Sequence, residues 1–171
     1  MAIVKAADQA IRRSRWARVM NLVALAFFIT ALLALGGFHF LSWWKHVSFP
    51  GWGIWNEMMG RVQSRDFSEP LANICLLMFP CFTALALSTP FLIGVLRRSR
   101  LAWWLLVLFS GGCLISVGAF AITISSPAPD EPDQRGPAFY CLMASLGLNF
   151  LGMLFVRRDV QAMTAMEPDV Q

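Results

Sequence analysis

The sequence predicts an all-α polytopic membrane protein: a bundle of four transmembrane helices with a short amphipathic interfacial helix in the first outer loop. Three observations predict it. Of 171 residues, 57% are hydrophobic and only 14% charged, against about 25% charged in a soluble domain. Such a chain cannot clothe a water-facing surface, and its mean hydropathy of +0.60 agrees. The apolar residues also cluster into four long runs instead of being dispersed, which is the membrane pattern. Finally, Lys and Arg gather at the ends of those runs. Four spans fill residues 19–156 and leave no room for a second, soluble domain.

Residues 1–18 form a basic lead with Lys5, Arg12, Arg13, Arg15 and Arg18. It reads as a solvated cytoplasmic tail that obeys the orientation rule; the alternative is a short helix on the inner surface, its basic groups toward anionic headgroups. The first span, 19–41, is long enough to cross a hydrocarbon core of about 30 Å at about 1.5 Å per residue. Ala34-Leu35-Gly36 resembles a signal-peptide cleavage site. The lead and the apolar run both exceed the usual signal lengths, so an uncleaved anchor is expected.

Residues 42–70 form the longest connection and carry Trp43, Trp44, Trp52 and Trp55. Trp favours the headgroup level, where its ring is apolar and its N–H finds a partner. These four, with Trp103 and Trp104 at the start of the third span, are the expected interfacial anchors. Trp52, Trp55, Met59 and Val62 share one face of a helix, and Asn56, Glu57, Arg61 and Gln63 fall elsewhere. That pattern predicts the interfacial helix, although Gly51, Gly53 and Gly60 weaken it.

The second span, 71–96, contains Pro80 and Pro90. Each removes a backbone donor and disturbs the carbonyl four residues earlier, so a kink is expected. Ser88 and Thr89 stand ready to supply a substitute bond near Pro90. Arg97-Arg98-Ser99-Arg100 makes a tight basic turn into the third span, 101–125. Residues 126–136 hold three prolines and four charges and read as a short exposed loop. The fourth span, 137–156, opens on Pro137 at a tolerated helix start. Residues 157–171 form a second cytoplasmic tail.

In an alternating four-span arrangement, ten of the 14 Lys and Arg fall on the side of the termini and the 97–100 turn, and four on the other. The positive-inside rule then places both termini in the cytoplasm, most simply of a bacterial cell with this as its inner membrane. Basic residues spread over span ends form no single patch, so no nucleic-acid partner is expected. The expected partners are the lipid bilayer and a second copy or another membrane protein.

Catalytic patterns are scarce. Cys75, Cys81, Cys113 and Cys141 all fall in predicted spans with no C-x-x-C spacing, whereas a thiol oxidoreductase needs accessible thiols near water. Size and span count are similar to those of the four-helix disulfide-generating quinone reductases. Those enzymes carry cysteine pairs in their outer loops, and both outer loops here lack cysteine. His39 ends the first span and His46 follows in the loop. No histidine on the other spans completes a haem pair within one chain. The carboxylates Glu57, Asp66 and Glu69, and Asp130, Glu131 and Asp133, lie in outer loops as ordinary solvated charge. No Asp, Glu, Lys or Arg lies inside a predicted span, which argues against proton relays and ion-coupled transporters. No cofactor or metal site is expected.

The polar and small residues at depth form stripes at helical spacing. These are Ala26, Thr30, Ala34 and Gly37 in the first span, Gly112, Ser116, Ala119 and Thr123 in the third, and Cys141, Ser145, Asn149 and Gly152 in the fourth. Small residues let backbones approach where lipid abolishes the hydrophobic effect. Packing of the four helices within the chain is the first expectation for Gly112, Ser116, Ala119, Thr123, Ser145, Asn149 and Gly152. An oligomer interface or a polar pore is the second.

Gly53-Ile54-Trp55 in a long first outer loop, with four spans and both ends inside, resembles the claudin-like tetraspan pattern. That family carries two cysteines after the tripeptide, and none follow here, so no function is carried over. The functional expectation is a non-enzymatic membrane protein acting through helix–helix contacts, as an accessory or assembly subunit or a self-associating effector. The alternatives are an oligomeric channel and, more remotely, a membrane redox or lipid-modifying enzyme using His39, His46 and the outer carboxylates.

Overall fold

The computed structural model describes residues 2–45, 50–64, 68, 70–125 and 135–156, with residues 2–11, 13, 14, 70–72, 75, 76, 124 and 125 described by backbone alone. The expected tail at 157–171, most of the 126–136 loop, His46, Asp66 and Glu69 lie outside the described residues.

The described chain is helical: α1 (Ala2–Phe40), α2 (Gly53–Ser64), α3 (Pro70–Arg98), α4 (Arg100–Ser125) and α5 (Pro137–Phe155). Four of these are long and apolar enough to cross a membrane, in the stretches Arg15–Phe40, Leu77–Arg98, Arg100–Thr123 and Pro137–Phe155.

α1 departs from expectation at its start. The basic lead is no separate tail or surface helix but the first part of one 39-residue helix, roughly 58 Å long at about 1.5 Å per residue. A membrane of about 30 Å covers little more than half of that. Arg12, Arg15 and Arg18 are exposed along it.

The basic turn between α3 and α4 shrinks to Ser99 alone. Its hydroxyl accepts the Ala102 N–H at 3.2 Å, an N-cap bond that answers one of the orphan donors of α4. α5 starts on Pro137 after Gly136 as N-cap. The first free donors of α5 are met by the segment after α1: Gly136 N–H bonds Trp43 O at 2.6 Å and Ala138 N–H bonds Ser42 O at 3.1 Å. Single antiparallel bridges, Ser42 with Pro50 and Trp44 with Arg135, tie the same segment across the helix ends. Gly136 is required there, because a Cβ would lie 2.8 Å from the Trp43 carbonyl carbon.

α1 packs most extensively along α5. α3 lies against α4 and, less extensively, α1, and α4 also borders α5. The four long helices therefore neighbour one another in the ring order α1–α3–α4–α5. Their core has two apolar parts. The larger, nearer α2, includes Leu35, Phe38, Phe79, Phe82, Val117, Phe139 and Leu142. The smaller, nearer the Ser99 turn, includes Ala24, Phe28, Leu85, Leu96, Val107 and Met153. Large rings and aliphatic chains do this packing, with Ala24, Ala31 and Ala86 as the small counterparts.

Candidate functional site

Between the two apolar parts lies a polar layer of Thr89, Ser110, Ser145 and Asn149, each at most 1% exposed. It begins with a break in α3. Pro90 has no N–H for the carbonyl of Ala86, four residues back. Thr89 supplies the missing bond, donating its hydroxyl to Ala86 O at 3.0 Å. The Thr89 hydroxyl oxygen in turn accepts from Asn149 Nδ2 on α5 at 3.1 Å. On its other side, Asn149 Oδ1 accepts the Ser110 hydroxyl of α4 at 3.4 Å. One turn earlier on α5, Ser145 donates to Ala31 O of α1 at 2.8 Å. Two α5 side chains thus bond all three other long helices. Burying an amide without partners is costly, and here partners are present on both ends of the group. The layer carries no charged side chain, and its bonds tie α5 to α1, α3 and α4.

Gly152 continues this face of α5. A Cβ there would lie 2.5 Å from Phe28 Cε1 and 2.7 Å from Phe28 Cδ1, so the fully buried Phe28 ring occupies the space glycine leaves. Cys141 seats against Gly37 of α1, 3.2 Å from where a Cβ would project. Ser145, Asn149 and Gly152 all face inward.

The α4 stripe does not. Gly112, Ala119 and Thr123 are exposed and Ser116 is half-buried. A Cβ at Gly112 would meet nothing within 4 Å. Ser116 and Thr123 donate to the carbonyls of Gly112 and Ala119 in their own helix, at 2.7 and 2.8 Å. Packing within the chain is therefore corrected for these four residues: α4 buries Ser110, Cys113, Val117 and Ala121 instead, on a roughly opposite face at about 100° per residue. Ala26 and Thr30 of the α1 stripe are likewise exposed, because α1 turns Ala24, Phe28, Ala31 and Leu35 inward.

At the α2 end, aromatic rings close over the helices. Phe38 meets Trp43 and Phe79 edge-on, with centroids 5.9 and 5.4 Å apart. Trp43 meets Phe139 at 5.9 Å, beneath the Arg135 guanidinium, which stands 5.1 Å over that ring. Trp43 is 3% exposed, which corrects its reading as an interfacial anchor; the bridges at Ser42 and Trp44 fold it inward. Trp44 is half-buried against the same cluster. Trp52 is exposed and Trp55 half-buried. At the other end, Trp104 is exposed, while Trp103 donates its indole N–H to Met153 O at 2.9 Å. That bond reaches a carbonyl in the last turn of α5, which also accepts the Val156 N–H at 3.4 Å.

His39 is fully engaged. Its Nδ1 lies 2.7 Å from Leu35 O, and its Nε2 accepts the Trp55 indole N–H at 3.0 Å. A carbonyl only accepts and an indole N–H only donates, so the neutral ring carries its proton on Nδ1. Neither nitrogen offers a lone pair to haem or metal unless Trp55 leaves. Cys81, Cys113 and Cys141 are free thiols, none exposed, and among the described residues no group of three or more His, Cys, Asp or Glu converges on a metal-sized site.

Sequence reasoning missed Ser110. A serine in an apolar helix ordinarily bonds its own backbone; only the facing Asn149 distinguishes this one. Compared with known proteins, the chain matches no family model, no curated protein and no solved structure.

Proposed function

We propose that the protein is a non-enzymatic four-helix transmembrane bundle that acts through helix–helix contacts, as an accessory or assembly subunit or a self-associating effector. Its setting in this reading is a bacterial cytoplasmic membrane with both termini inside and α2 as an amphipathic helix in the outer interface. One observation carries the reading: in the layer of Thr89, Ser110, Ser145 and Asn149, α5 is bonded across to α1, α3 and α4, and Thr89 also bonds back to its own helix. Those bonds support an internal use of the layer, which leaves the chain's outward helix faces as what it offers a partner.

The outward stripe of exposed Gly112, Ala119 and Thr123 with half-buried Ser116 supports association of α4 with a second copy or another membrane protein, since small residues permit close approach. Met59 and Val62 on α2 and Trp52 just before it are exposed, which supports a seat at the headgroup level. The test is the mass of the detergent-solubilised protein with and without Gly112→Leu. The reading expects an assembly larger than one chain that the substitution shrinks, with the fold intact. A monomer in both cases, with no co-purifying membrane partner, contradicts it.

A channel reading draws on the same stripe, whose Ser116 and Thr123 hydroxyls would line a path between subunits. It expects an ion flux in liposomes that Gly112→Leu blocks.

A further inference from the structure

We propose that His39 and Trp55 form a proton-sensitive latch that holds α2 down over the end of the long helices. α2 has few ties to the rest of the chain. Its entry is pinned: Trp52 N–H bonds His39 O and Gly51 N–H bonds Leu41 O, both at 3.3 Å. Gly51 itself is pressed on α1, where a Cβ would stand 2.7 Å from the Phe38 ring. Beyond that pivot, the body of α2 only brushes α3. It is held by Ile54 and Trp55 packing on the core, by Trp55 edge-on to Phe79 at 5.2 Å, and by the Trp55 hydrogen bond to His39.

That bond exists in one protonation state. With the Nδ1 proton committed to Leu35 O, Nε2 receives Trp55 only while it is bare. A second proton on the ring sets two donors face to face across 3.0 Å. Histidine is the side chain that ordinarily changes charge between pH 5 and 8. The indole face attracts a cation; the two rings stand 6.3 Å apart between centroids and 24° from parallel, and bringing the face over the imidazolium turns the N–H away from Nε2. In each case the latch opens, and α2 swings about Gly51 and Trp52.

The described charged groups at this end are Lys45, Glu57, Arg61 and Arg135. Glu57 and Arg61 of α2 are paired with each other at 3.0 Å. Lys45 follows α1, and Arg135 precedes α5 over Phe139. α3 presents the Phe79 ring to the imidazole. Among the described residues no carboxylate reaches the ring to stabilise its charged form in place.

The test uses the full chain in lipid nanodiscs with His46→Gln, which leaves one histidine. Nitrogen-15 NMR of the labelled ring follows its tautomer and charge from pH 8 to 4.5, and hydrogen exchange follows α2 as protection factors corrected for the intrinsic pH dependence. The latch predicts an Nδ1-protonated neutral ring at high pH. It predicts a fall in α2 protection of about tenfold or more as the ring gains charge, the scale of one lost bond with a donor left unpaired. His39→Gln, neutral throughout, should make α2 protection independent of pH, and Trp55→Phe should leave it low at every pH. A ring that titrates while α2 protection holds overturns the proposal, as does a ring that stays neutral to pH 4.5.

Discussion

Gly152→Ala perturbs the α1–α5 contact directly, because it adds one methyl group where the Phe28 ring of α1 is pressed against α5. The new Cβ would sit 2.5 and 2.7 Å from two atoms of the Phe28 ring, well inside van der Waals contact. Phe28 is fully buried and cannot rotate into lipid. Overpacking of this kind costs about 1–3 kcal/mol, and contact with a rigid ring places it near the upper end. Replacing glycine by alanine within a helix returns roughly 0.8–1 kcal/mol. The net expectation is a loss of about 1–2 kcal/mol by these two ranges. Gly112→Ala is the internal control. It carries the same propensity gain with nothing within 4 Å of its Cβ, so it should be neutral or slightly stabilising. Reversible unfolding in mixed micelles measures both, and Phe28→Leu on the Gly152→Ala background should recover most of the loss, as expected for residues in contact. Equal stability of the two alanine variants, or no coupling to Phe28, would refute the packing argument.

Three further outcomes follow from the same geometry. Thr89→Val keeps the shape but removes the donor to Ala86 O and the acceptor for Asn149; unfolding should show a loss of about 1–3 kcal/mol, the scale of unpaired buried groups, while the exposed Ser88→Ala changes little. Trp103→Phe removes the N–H that meets Met153 O and should lower stability by about 0.5–1.5 kcal/mol, with Trp104→Phe near neutral by the same thermal scan. In a cysteine-free background, cysteines at Ser64 and Gln134 should react with an impermeant thiol reagent outside intact cells and one at Arg98 should not; the reverse pattern would invert the orientation.

Much of the architecture is legible in the sequence for one physical reason. A span must satisfy its own backbone in lipid and must be long and apolar, so the four long helices announce themselves. Their inward faces do not. Lipid is as apolar as a leucine core, and hydrophobic periodicity therefore says nothing about which side faces protein. Small residues were the remaining guide, and they mislead on α1 and α4, where Thr30, Ser116 and Thr123 satisfy themselves on their own helix and can face outward without penalty. Asn149 has no such local solution, so its burial in the layer follows from its chemistry. Thr89 was legible as the neighbour of Pro90, but its second bond to Asn149 depends on how α3 and α5 come together. Trp43 turns inward because of loop bridges that no local pattern encodes. The helical lead of α1 was hidden because a run of basic residues carries neither an apolar stripe nor a terminating signal, and its continuity is inherited from the span it joins.

The central claim is that the buried polar layer holds helices together and neither conducts nor reacts. Its most direct test is Asn149→Ala in reconstituted liposomes, with unfolding and ion flux measured on the same preparation. Losing both bonds of the amide should lower stability by about 1–2 kcal/mol, since interhelical bonds average about 0.6 kcal/mol each with a maximum near 1.7. Flux should stay at the protein-free background before and after the change. Unaltered stability together with a flux that the substitution changes would contradict the account.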